Sequence, residues 1–153
     1  MGFRMSLSPQ DLRELGAGHL GRLLLHALRR VQATSLGKLQ ERGHPAVRTG
    51  HIPVFSGVAQ GGARITDLAA GAGMTRQMMG RLVRELEEEA YVRSRPDPHD
   101  QRAVVVELTD RGVAFCADAQ EVMSELEATY ADLLGGDGLA QLRTALIRLA
   151  AEP

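Results

Sequence analysis

Apolar residues recur along this chain at helical and strand spacings, and the intervals between them mark the elements. From Ser8 to about Gln40, Leu12, Leu15, Leu20, Leu23, Leu24, Ala27, Leu28, Val31 and Leu36 keep a period of about 3.6 residues and predict a long first helix. Ser8-Pro9 supply its N-cap and first helical residue, and Gly43-His44-Pro45 end it. A second helix is expected from about Thr49 to Val58, with Pro53 in its first turn or at a kink. After the Gln60-Gly61-Gly62 loop, Thr66 is expected to cap a short helix over Asp67–Ala72. Gly73-Met74 then turns the chain, and Thr75 caps a helix running to Ala90. The spacing then changes to strand-like. Tyr91–Arg95 predicts a strand, Pro96–Gln101 a turn-rich tip, and Ala103–Leu108 a β-branched returning strand. Thr109 caps a second long helix with Phe115, Ala119, Val122, Leu126, Tyr130 and Leu133 on one face. Gly135-Gly136 stop it, and Asp137 opens a last helix with Leu139, Leu142, Leu146 and Leu149.

Helix, tight turn, helix and hairpin in that order predict a winged helix-turn-helix over residues 48–108. The fold class is thus mainly α with a small β-hairpin wing. The flanking helices, 1–47 and 109–153, carry too much apolar stripe for a small domain alone and predict a helical dimerisation region. All of it is expected to form one compact unit.

The helix after Thr75 carries the most chemistry. At 100° per residue, Met79, Leu82, Val83 and Leu86 centre on one direction, and Gln77, Gly80, Arg81 and Arg84 on the opposite one. Gln and Arg can read base edges bidentately in a major groove, and a helix N-terminus presents N–H groups to a phosphate. Gly80 in mid-helix costs about 1 kcal/mol relative to Ala, and a close approach to DNA would explain it. The bland alternative is a solvated amphipathic face. The hairpin tip places Arg95, Asp97, Asp100 and Arg102 together, and an arginine on a stiff tip suits a narrow minor groove. Asp100 lies two residues before Arg102 and could orient its guanidinium. An ordinary surface ion pair is the alternative there.

Charge sharpens this picture only when divided along the chain. Residues 1–42 hold seven Lys/Arg against three acids, and residues 111–153 three against seven. Opposite signs at the two ends suit terminal helices that pack together. The window 74–84 has Arg76, Arg81 and Arg84 and no acid, which could meet a phosphate backbone. No stretch of 18 apolar residues occurs, so no transmembrane helix is expected. The first residues lack the apolar run of a secretory signal. A single cysteine, Cys116, leaves no internal disulfide and no Cys-cluster zinc site. Together these predict a cytoplasmic protein in a reducing compartment. Aromatic residues are only 3% of the chain, so the core is expected from Leu, Val, Ala and Met. Base-stacking recognition of single strands is disfavoured for the same reason.

The run from Gly73 to Glu87, then Tyr91-Val92, Asp97-Pro98-His99-Asp100-Gln101-Arg102-Ala103 and Leu108-Thr109-Asp110-Arg111-Gly112 resemble the MarR (multiple antibiotic resistance regulator) family. The resemblance implies a homodimeric winged-helix transcriptional regulator, usually a repressor. It also implies relief by a small-molecule effector bound between the dimerisation and DNA-binding parts. By position, Thr75, Arg76, Gln77 and Arg81 look like the family's major-groove residues and Arg102 like its wing arginine. With Gly80, Arg84 and Arg95 they form the expected interface with double-stranded DNA. Two positions depart from the pattern: Pro53, where the second helix usually continues, and Gly80, where a small hydroxyl residue is more common.

Cys116, beside Phe115 and near Ala119, reads as a buried inert thiol; a redox sensor is the alternative, although the resemblance implies that a peroxide-sensing cysteine would sit in the first helix, which has none. His19, His44 and His51 are candidates to line an effector pocket between the first two helices, with satisfied structural histidines as the alternative. They and His26 could also ligate a metal, but the resemblance implies that a zinc-responsive member needs further ligands early in the second long helix, where Val113–Ala117 is poor in them, so neither metal nor cofactor is expected. No nucleophile–base arrangement or phosphate-cradling glycine motif can be assembled, and an enzyme is not expected. A dimeric ligand- or partner-binding protein without operator binding is the second reading.

Overall fold

The computed structural model describes residues 18–151 apart from Gln60, Pro98 and His99, and only the backbone of Gln101 and Arg102. The first helix is observed as α1 (Leu20–Glu41), and its expected cap at Ser8-Pro9 lies outside the described residues. A 3-10 turn (Thr49–His51) leads into α2 (Ile52–Val58), and a two-residue strand β1 (Ala63–Arg64) into α3 (Ile65–Gly71). Then follow α4 (Arg76–Glu88), β2 (Val92–Asp97), β3 (Asp100–Leu108), α5 (Asp110–Leu134) and α6 (Gly136–Ala151). The chain forms two compact units, residues 1–34 and 35–153. The helix-turn-helix, the wing and the two C-terminal helices therefore fall in one unit.

Local signals set many of these boundaries. Pro53 sits in the first turn of α2, where its missing N–H costs nothing, and no kink is needed. The Thr75 hydroxyl accepts from the Met78 N–H at 3.2 Å, and Thr109 likewise from the Gly112 N–H at 3.1 Å. Gly135 ends α5 at φ +75°, a region that favours glycine. Gly136 already belongs to α6, so Asp137 lies inside its first turn rather than opening it.

Elsewhere the structure departs from expectation. Thr66 does not cap α3: the helix starts at Ile65 directly from strand β1, and the Thr66 hydroxyl instead meets the Asp67 carboxylate at 3.4 Å. Strand β1 itself has no sequence signature. It exists because Ala63 and Arg64 pair with Val106 and Val105 of β3, which makes β3 the middle strand of the order β1-β3-β2. The hairpin is longer than expected, with pairing from Val92↔Leu108 to Pro96↔Val104 and an irregularity before Asp97↔Asp100. Pro96 is tolerated because β2 is an edge strand. Helix α4 stops at Glu88 rather than Ala90. Ala90 takes φ +58° while the Ala90 and Tyr91 N–H groups donate to the Glu87 and Leu86 carbonyls, a Schellman ending without glycine.

The core of the 35–153 unit is built from Leu39, Val54, Val58, Leu68, Met79, Val83, Leu86, Val106, Val122 and Leu126 around an aromatic centre. Phe55 and Phe115 rings lie 4.2 Å apart, and Tyr91 meets both nearly edge-on at 5.9 Å. A core of aliphatic residues alone is thus corrected: few aromatics occur, but three of them occupy its centre. By contrast Leu20, Leu23, Leu25 and Leu28 of α1, Leu133 and Leu134 of α5, and Leu142, Ile147 and Leu149 of α6 are exposed. Helix α6 has no buried residue.

Candidate nucleic-acid interface

Helix α4 separates its two faces as its periodicity demands. Met79, Val83 and Leu86 are fully buried, Leu82 is half-buried, and Thr75, Arg76, Gln77, Arg81 and Arg84 are exposed. Thr75, Gln77, Arg81 and Arg84 border one shallow groove on the outer face, together with Met78. Arg76 turns the other way, into a depression shared with Arg64, Ile65, Thr66, Ala103 and Val104. Gly80 is half-buried, and a Cβ there would meet nothing within 4 Å. Packing inside the molecule therefore does not require glycine at this position. Arg76, Gln77 and Arg84 make no side-chain hydrogen bond or ion pair among the described residues, which leaves their donors available. Arg81 differs: its Nε donates to Glu85 Oε1 at 2.9 Å, one turn on.

The wing is held by carboxylates. Glu107 accepts from Arg93 Nε at 2.7 Å and from Arg95 Nε at 2.5 Å, and these bonds hold its carboxyl below the usual carboxylate range. Arg93 faces Glu107 directly across the ladder, and Arg95 reaches it diagonally. Arg95 is thus engaged through Nε while its side chain stays 41% exposed. Arg64, which the sequence reading passed over, donates from Nε and Nη2 to Asp97 Oδ2 at 2.8 and 2.7 Å. Its Nη2 also lies 3.9 Å from Asp100. Asp97 is buried, so this pair ties the outer end of the hairpin to the start of α3. Asp100 therefore has Arg64 close by, and the side chain of Arg102 lies outside the described residues. The only local hint of Arg64's role was its place after Gly61-Gly62. Gly62 takes φ +98°, and a Cβ there would meet Val105 Cγ1 at 2.9 Å, so glycine lets β1 reach β3.

The histidines of the expected effector pocket have other work. His44 is 5% exposed; its Nε2 donates to Asp118 at 2.8 Å, so in the neutral ring Nδ1 accepts from the Tyr91 hydroxyl at 3.0 Å. His51 is 2% exposed; its Nδ1 accepts from the Arg48 backbone N–H at 3.2 Å, which leaves Nε2–H to donate to Glu85 at 3.0 Å. Both ring nitrogens of each histidine thus have a partner within the protein. His19 is exposed and lies in the 1–34 unit. An open depression of about 340 Å³ does exist elsewhere, between α2 and α3, lined by Pro53, Ser56, Gly57, Leu68, Gly71 and Ala72 among others. Cys116 is half-buried and burial pushes its thiol pKa up, which makes it a poor thiolate. Among the described residues no group of three or more His, Cys, Asp or Glu could hold a metal ion. No described helix is long and apolar enough to cross a membrane.

An amphipathic helix with a cationic outer face, set beside a three-stranded sheet with a long hairpin, defines the class as a winged helix-turn-helix. The MarR family model matches residues 59–104, from the end of α2 into β3. No curated protein sequence matches the chain. Among solved structures, apo MarR from E. coli superposes with a TM-score of 0.71 at 21% identity, over 86% of this chain and 96% of that one. YusO from Bacillus subtilis gives 0.66 at 18%, over 96% and 100%. The transcriptional repressor CouR, bound to a 23-mer DNA duplex, gives 0.70 at 25% identity, over 95% and 99%. The chain therefore has the winged-helix fold of these MarR-type structures.

Proposed function

We propose that this protein is a homodimeric, effector-responsive repressor that binds a palindromic operator in double-stranded DNA in the cytoplasm. The observation that carries the proposal is the outer face of α4, where Gln77, Arg81 and Arg84 stand exposed beside the capping residue Thr75, opposite a fully buried stripe. In this reading α4 lies in a major groove, with Gln77 and Arg81 at base edges and Arg76 and Arg84 at phosphates. The wing reaches the adjacent minor groove with Arg95 and Arg102, the latter oriented by Asp100 in this reading. Residues 48–108 then bind DNA, and 1–47 with 109–153 form the dimer. The exposed leucines of α1 and the apolar side chains of α5 and α6 supply the surface such a dimer would cover. A two-fold dimer asks for half-sites about 10 bp apart in an inverted repeat.

The protein's own upstream region, tested by gel shift at two salt concentrations, is the direct assay. Binding is expected, with affinity falling steeply as salt rises. Arg102→Ala should weaken binding to all duplexes and reduce the salt slope by about one. Gln77→Ala should instead cost roughly 1–3 kcal/mol on the cognate duplex and much less on random DNA. If no duplex is bound, the fold serves a dimeric ligand- or partner-binding protein instead.

A further inference from the structure

Glu85 is the one acid on the buried-to-exposed boundary of α4 that touches the proposed reading face, and it is unusually well held. Its two oxygens are divided between two tasks. Oε2 accepts from His51 Nε2 at 3.0 Å and from the Arg48 guanidinium, both in the segment that leads into α2. Oε1 accepts from Arg81 Nε at 2.9 Å. The support behind Oε2 is rigid because His51 is buried and its tautomer is set by the Arg48 backbone N–H on Nδ1. A neutral, tautomer-locked ring can donate to the carboxylate without carrying charge. The Arg48 guanidinium then offsets the negative charge that would otherwise face a phosphate backbone.

The consequence falls on Arg81. An arginine side chain at a helix surface has large rotamer freedom, and losing it on binding opposes recognition. With Nε taken by Glu85, the guanidinium plane is oriented before DNA arrives. The two Nη groups stay unengaged on a side chain that is 71% exposed. That leaves the end-on fork, the edge that matches the O6/N7 acceptor pair of a guanine. We infer that Glu85, braced by His51 and Arg48, is a positioning residue that sets the base specificity of Arg81 for a guanine acceptor pair. The inference rests on the proposal that α4 reads DNA.

Charge and positioning predict opposite outcomes for Glu85→Gln, which makes the inference testable. Removing a negative charge near DNA should by itself tighten binding to every duplex. Loss of positioning should weaken only the cognate one. The probes are a duplex selected from a random pool by the wild-type protein and a scrambled duplex of the same composition. Glu85→Gln is expected to lower affinity for the selected duplex about tenfold while leaving the scrambled duplex unchanged or slightly tighter. In an Arg81→Ala background the same substitution should have no effect on the ratio of the two affinities, because the group it positions is gone. Glu85→Asp keeps the charge but withdraws the carboxylate, and should show the same loss of ratio; it is the variant to read if Glu85→Gln lowers the melting temperature into the assay range. An unchanged ratio in these variants, or an equal loss with and without Arg81, overturns the inference. Absence of wild-type binding to any selected duplex would instead overturn the DNA-binding reading itself.

Discussion

Gly80→Ala separates what the fold wants from what the proposed function wants. The residue is in the middle of α4, where glycine costs about 1 kcal/mol relative to alanine through backbone entropy. A Cβ placed on this backbone meets no atom within 4 Å, so no steric penalty opposes that gain. The variant should therefore be more stable by about 0.4–1 kcal/mol. For a chain of this size that is a rise of roughly 1–4 °C in melting temperature, since each kcal/mol is worth about 2–4 °C. The same methyl group would project between Gln77 and Arg84 on the outer face. If the duplex comes within contact distance of the α4 backbone there, an added methyl costs about 1–3 kcal/mol, as overpacking does in a protein core. Affinity should then fall about five- to a hundredfold or more, with dimerisation unaffected. Differential scanning calorimetry and fluorescence anisotropy on one preparation measure both quantities. A lower melting temperature would refute the open-space reading of Gly80, and higher stability with unchanged affinity would refute close approach of DNA at this point.

Three further outcomes follow from the geometry. Ala90→Gly should stabilise the protein by about 1 kcal/mol in urea titrations, because the left-handed conformation of Ala90 costs about 1–2 kcal/mol that glycine does not incur. Gly112→Ala should destabilise by at least about 1–3 kcal/mol, since its Cβ would fall 2.1 Å from the Tyr91 carbonyl oxygen, which already accepts from the Thr109 N–H and hydroxyl; an unchanged unfolding midpoint would contradict that contact. Acid should remove the contribution of Glu85. His51 first, then Arg81, hold its carboxyl down to about 2, below the usual unfolded value of about 4.3. Its stabilisation is complete above the unfolded value and is lost as pH falls through the folded one, so unfolding free energy should drop with acid below about pH 4.3, and Glu85→Gln should flatten that drop.

The amphipathic faces of α4, the caps at Thr75 and Thr109 and the stop at Gly135 were legible along the chain because each depends on residues within one or two turns. The family resemblance was legible for a related reason: recognition helix, wing and the Leu108–Gly112 segment are nearly contiguous. Gly112, by contrast, is explained only once the hairpin has folded back and pressed the start of α5 against the Tyr91 carbonyl. What tertiary structure alone decided are the long-range partners. Ala63 and Arg64 become a strand only because β3 offers them a ladder, and Arg64 finds Asp97 33 residues away. His44 and His51 were ambiguous in sequence because a histidine's role depends on what its two nitrogens meet, and those partners, Tyr91, Asp118 and Glu85, lie 34 to 74 residues distant. Ala90 adopts a left-handed turn against its own preference because burying Tyr91 beside Phe55 and Phe115 offsets the strain, an energy that no local window of sequence contains.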